Sequence, residues 1–124
     1  MKTKSPLLTS IGALALFVLV VFPNSSARAS QGQCGDVEIE VYYDPVVYLE
    51  VSVYPEDCVI YYTFVLDNAS IVDPSRSGDT PISPTMTCYH GQTFHTTYGH
   101  TMKLRAFAYK PLWTQSVNIS HFPF

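Results

Sequence analysis

VYLEVSVYPEDCVIYYTFVL, residues 47–66, decides the fold. In its first part Val47, Leu49, Val51 and Val53 alternate with Tyr48, Glu50, Ser52 and Tyr54. That period of two sets aliphatic side chains on one face of an extended strand and amphipathic ones on the other. Pro55-Glu56-Asp57 interrupts the pattern with turn residues. Cys58 to Leu66 then runs apolar at both parities and is rich in β-branched and aromatic residues, which predicts a central strand covered on both faces.

The alternation continues on either side. Val37, Ile39 and Val41 alternate with Glu38, Glu40 and Tyr42, and Asp44-Pro45 ends that run. Met102, Leu104, Ala106 and Ala108 alternate with Lys103, Arg105, Phe107 and Tyr109, and Val117 and Ile119 alternate with Ser116, Asn118 and Ser120. Shorter strands are expected at 86–89 and 93–96, separated by His90-Gly91, while Pro74, Gly78, Pro81 and Pro84 mark 67–85 as a long loop. Seven or so short strands and no helix predict an all-β chain, an immunoglobulin-like antiparallel β-sandwich.

The 124 residues are one domain's worth, and 47% hydrophobic against 14% charged residues is too apolar for a disordered chain. Part of that apolar content is the run IGALALFVLVVF, residues 11–22, preceded by Lys2 and Lys4 and followed by Pro23 and Ala27-Arg28-Ala29. A basic start, a short apolar stretch and a small-x-small site are the pattern of an export signal, and the run is too short to span a bilayer. The expected organisation is therefore a signal peptide over 1–29, an N-terminal segment and first strand over 30–45, and the sandwich domain over 46–124, in a secreted or extracytoplasmic protein. Cleavage after Ala29 leaves Arg76, Lys103, Arg105 and Lys110 against ten acidic residues, a net charge of −6. A polyanion such as nucleic acid is repelled by that balance.

Cys34, Cys58 and Cys88 all follow the signal. In an oxidising compartment one bridge is expected, and three thiols allow three pairings. Cys58 with Cys88 is favoured, because both fall inside the expected sandwich while Cys34 lies in a Gly/Gln-rich stretch. Cys34 is then left free or available to a partner chain.

Ile60-Tyr61-Tyr62-Thr63, the Asp/Pro/Ser loop with Asp67 and Asp73-Pro74-Ser75, Cys88-Tyr89, Gly99, the segment Leu104 to Lys110 and Ser116 follow one another in order. In this the chain resembles the chitobiase/β-hexosaminidase C-terminal domain family over roughly Tyr48 to Phe122. The usual Asp-Gly turn after the YYT strand is missing, and Phe64 to Val72 reads as an insertion. The resemblance implies an immunoglobulin-like accessory module of secreted glycoside hydrolases and surface proteins, without catalytic residues of its own.

Constellations with chemical potential are few. Glu38 and Glu40 lie about 6.6 Å apart along a strand, within the carboxylate spacing of inverting glycosidases, yet an alternating edge strand exposes both where one must be tuned by burial. His90, His95 and His100 are spaced by five and separated by Gly91 and Gly99, which scatters them on loops and opposite faces rather than around a metal. Asp67, Asp73 and Asp79 lack the ordered spacing of a calcium loop. No nucleophile elbow, phosphate loop or Cys-x-x-Cys pair occurs. No enzyme, metal or cofactor is expected.

Aromatic residues are in excess, with nine Tyr and Trp113 after the signal. Tyr42, Tyr48 and Tyr54 stand opposite the aliphatic rows, and Trp113 falls in the Pro111-Leu112-Trp113 turn. Flat apolar rings with polar tips suit stacking on sugars or a protein interface. These four residues are the candidate ligand-binding set of a secreted, non-catalytic module that binds a polysaccharide or a partner protein. A structural or adhesive surface subunit is the alternative, and a small glycoside hydrolase a third reading.

Overall fold

The computed structural model describes residues 32–123, and the export-signal reading of residues 1–29 lies outside them. Nine strands and no helix occur among the described residues: β1 (Glu38–Tyr43), β2 (Val47–Ser52), β3 (Val59–Leu66), β4 (Arg76–Ser77), β5 (Thr80–Pro81), β6 (Met86–Cys88), β7 (Thr93–His95), β8 (Met102–Tyr109) and β9 (Ser120–Phe122). One sheet has the order β1-β2-β7, a second has the order β6-β3-β8-β9, and β4-β5 is a separate hairpin. All of these strand pairings are antiparallel. The described residues form an all-β antiparallel sandwich, with seven strands in the two sheets and two in the hairpin.

The alternation read from the sequence sets the core. Leu49 and Val51 of β2, with Val37 and Val53 flanking β1 and β2, meet Ile60 of β3 and Leu104, Ala106 and Ala108 of β8, with Cys58 just before β3, and all are buried. Phe94 of β7 packs edge-on against Tyr62 of β3, with ring centroids 5.0 Å apart, and lies 5.4 Å from Phe64. Three-residue β7 thus carries the ring that locks the sheets together. Gly91 makes the turn into it possible, since its φ of +89° is a conformation side-chain-bearing residues rarely adopt.

β3 is buried on both faces, as its composition requires. Its even-numbered residues face the other sheet, whereas Tyr61 and Thr63 are buried on the outer side. There Tyr61 stacks on Phe107 of β8 at 5.3 Å, and the segment 67–85 closes over them. The Tyr61 hydroxyl donates to the Asp79 carbonyl, and the Thr63 hydroxyl donates to the Val72 carbonyl at 2.6 Å. Arg105 pairs with Asp73 at 2.8 Å, and the Arg76 guanidinium lies 3.3 Å from the centre of the Tyr109 ring. What reads as a long loop is therefore a cover, and its β4-β5 hairpin turns at Gly78, where φ is +62°.

The C-terminal strand differs from its expected position. Residues 116–119 are not strand: the Ser116 hydroxyl accepts from the Ala108 N–H at 2.8 Å, and Asn118 is bound through its backbone and side chain to Asp36. Ser116 still donates its N–H to the Ala108 carbonyl at 3.0 Å, but the bonds to Asp36 draw the backbone aside, and the regular ladder with β8 is formed only from Ser120, opposite Ala106.

Phe107→Ala is expected to cost about 3–5 kcal/mol, as for a fully packed aromatic, and Tyr61→Phe about 1 kcal/mol for one lost hydrogen bond. Urea unfolding of both variants checks this. A loss under about 1 kcal/mol for Phe107→Ala would contradict a packed outer face.

Candidate functional site

Among the described residues no segment covers the outward face of β1-β2-β7, and register decides what stands on it. Tyr42 of β1 is directly opposite Tyr48 of β2, and Tyr48 is directly opposite His95 of β7. The two pairs stack, with ring centroids 4.9 Å and 5.1 Å apart and planes within 16° of parallel. Rings in van der Waals contact at such separations are offset rather than eclipsed. A strip of each ring therefore stays open along a row that crosses all three strands.

The adjoining row is acidic. Glu40 lies opposite Glu50, and Glu50 opposite Thr93. The Tyr42 hydroxyl donates to Glu40 at 2.6 Å and reaches Glu50 at 3.5 Å. A proton shared with a carboxylate is hard to remove, so the bond to Glu40, with smaller help from desolvation and the two carboxylate charges, pushes the Tyr42 phenol up to about 12. The face thus offers three aromatic rings, two carboxylates as acceptors, and an imidazole and a second phenol as further hydrogen-bonding groups.

Two of the four expected binding residues meet here, Tyr42 and Tyr48. Tyr54 shares their parity but lies six residues from Tyr48, roughly 20 Å along an extended chain. It is exposed and makes an edge contact with His90 at 6.0 Å. Trp113 is placed elsewhere. It is half-buried and packed against the core, with the Lys110 ammonium 4.7 Å from its ring centre. Gly32 lies so close that a Cβ there would come within 2.7 Å of the Trp113 ring. Trp113 is thus a clamp on the N-terminal segment, because the β8–β9 turn and residues 32–34 are bonded to each other: Cys34 N–H to Thr114 carbonyl at 2.9 Å and Thr114 N–H to Gly32 carbonyl at 2.8 Å.

The structure also corrects the cysteine pairing. Cys88 sits opposite Ile60 on β6, two positions diagonal from Cys58 along the ladder. Diagonal neighbours are about 7–8 Å apart, beyond the usual reach of a disulfide. Cys34 instead lies against Cys58, sulfur to sulfur 2.7 Å, and all three cysteines are buried.

The histidines are scattered over the fold. His90 accepts from the Val53 N–H and lies 3.6 Å from Glu56, His95 stands on the aromatic row, and His100 pairs with Asp67 at 3.1 Å. Among the described residues no cluster of metal-ligating side chains forms. Glu38 and Glu40 are both exposed on the edge strand or close to it. His95 and Glu50 belong to the face but not to the expected binding set: Glu50 shares the parity of Tyr48 on β2, whereas His95 joins the row only through the pairing of β7 with β2, which the pattern within one strand does not report. No known protein family, curated protein or solved structure matches the chain.

Two outcomes are expected. Glu40→Gln should bring the Tyr42 ionisation down from about 12 toward the ordinary tyrosine value of about 10, read by NMR titration of the ring carbons; an unchanged titration would break the assigned bond. Trp113→Ala should lower stability by about 2 kcal/mol, from lost half-burial and the freed N-terminal segment, measured by urea unfolding. A loss below about 0.5 kcal/mol would remove the clamp role.

Proposed function

We propose that this chain is a secreted, non-catalytic module of immunoglobulin type that binds a neutral or amino-bearing polysaccharide on the open face of β1-β2-β7. The row Tyr42–Tyr48–His95 beside Glu40 and Glu50 is the observation that carries this reading. Sugars combine apolar C–H faces with many hydroxyls, and such ligands are held by partly open rings together with fixed acceptors and donors. A flat face suits an extended polymer better than a small molecule, which needs a concavity. Carboxylates on the face and a net charge of −6 after signal removal disfavour anionic glycans.

Three further observations support the wider reading. The seven sheet strands, taken in chain order, divide as first-second-fifth and fourth-third-sixth-seventh, so the chain crosses repeatedly between sheets in the manner of immunoglobulin-like sandwiches. The resemblance to the chitobiase/β-hexosaminidase C-terminal domain family implies an accessory rather than a catalytic role. The apolar run at 11–22 with its flanks is the support for secretion.

Retention of the purified protein on insoluble chitin, chitosan and cellulose tests the proposal. Binding to at least one is expected, and Tyr48→Ala should weaken it about 5- to 160-fold, the range for loss of an aromatic anchor. Trp113→Ala should leave affinity within about twofold. No retention on any of the three, or full affinity in Tyr48→Ala, would overturn the reading, and turnover of a soluble hexosaminide by the wild type would overturn its non-catalytic part.

A further inference from the structure

We propose that Cys34 and Cys58 are oxidised to a disulfide that staples the N-terminal segment to the start of β3, while Cys88 remains a thiol. The two sulfurs are 2.7 Å apart and the residues 1% and 0% exposed. An S–S bond is about 2.05 Å long, so closure needs a sulfur movement of well under 1 Å, which side-chain torsion supplies.

Both backbones are placed independently of any bond between the sulfurs. On one side, the Cys34 N–H donates to the Thr114 carbonyl at 2.9 Å and the Gly35 N–H to the Tyr54 carbonyl at 2.9 Å. On the other, the Cys58 N–H donates to the Pro55 carbonyl at 3.1 Å and Val59 enters the ladder opposite Tyr109. Around them the neighbours are core aliphatics, which fit a disulfide as well as two thiols. Cys88 is held in the same core on β6, opposite Ile60.

The chemistry is thiol–disulfide exchange with a low-molecular-weight disulfide such as oxidised glutathione. One cysteine thiolate attacks that disulfide, forming a mixed disulfide and releasing one glutathione thiolate. The second cysteine thiolate then attacks the protein sulfur, forming the Cys34–Cys58 bond and releasing the second glutathione. Two protons and two electrons leave the protein, and one glutathione disulfide becomes two thiols. Burial, with the neighbouring Cys58 sulfur adding to it, pushes the Cys34 thiol up to about 12, so the reactive thiolate is scarce once the segment is docked. With the two residues 1% and 0% exposed, the finished bond is shielded from reductants while the chain stays folded.

The test is to refold the chain in a reduced and oxidised glutathione mixture, block thiols under denaturing conditions and map the peptides. One blocked cysteine, Cys88, is expected without reductant and three with it. Cys88→Ser should show none without reductant, and Cys34→Ser and Cys58→Ser two each. Wild type refolded with reductant should melt on the order of 15 °C below the oxidised form, as removal of a bridge enclosing this loop would require, whereas the Tm of Cys34→Ser should not respond to reductant. Three blocked cysteines in the oxidised wild type, or a bridged peptide containing Cys88, would overturn the proposal. The peptide map is made on the wild type, so the bridge is read even where a variant fails to fold.

Discussion

The ladder between Val59–Leu66 and Met102–Tyr109 is the constraint on which the rest depends. Its eight residue pairs put two rows of side chains under cover at once, one row between the sheets and the other beneath the β4-β5 segment. A strand that is apolar at both parities has to be covered twice, and a two-sheet sandwich supplies only one cover. The second comes from residues 67–85, held by main-chain acceptors at Val72 and Asp79 and by the ion pair between Arg105 and Asp73. With both faces of this sheet occupied, the sheet surface left open among the described residues is the outward face of β1-β2-β7.

Much of this architecture was legible in the sequence because burial follows parity. The alternation at 47–54 and 102–109 named most of the buried residues, and the apolar run at 58–66 announced a doubly covered strand, whereas in 37–42 only Val37 is buried and Val41 is exposed on the edge strand. Residues 116–119 alternate just as well, yet Asp36 takes the Asn118 N–H and the Ser116 hydroxyl replaces a main-chain acceptor for the Ala108 N–H, which keeps the stretch out of the regular ladder. Hydrophobic pattern reports which way a side chain points once a strand exists; it does not report whether nearby polar groups will claim the backbone first.

The candidate site was legible only in part, for a related reason. Tyr42 and Tyr48 were visible as outward residues of neighbouring strands, but whether their rings meet depends on register, and His95 joins them only because β7 pairs with β2. Trp113 read as a surface ring on turn residues, whereas the sharp bend, with Leu112 at φ +68°, folds it back on the core. The same bend brings Thr114 alongside Cys34, so a residue in a stretch without hydrophobic pattern becomes one of the most buried in the molecule.

Covering by residues 67–85 makes the sandwich one-sided. One open sheet face does not by itself wrap a strand of polymer from both sides. If the open face binds a polymer as proposed, each copy contributes one foothold, and firm attachment to a repetitive surface comes from several copies held close together, where linkage multiplies weak contacts without adding any new ones. On that reading, the segment that seals the outer face also leaves the described sandwich with one open sheet face for such contacts.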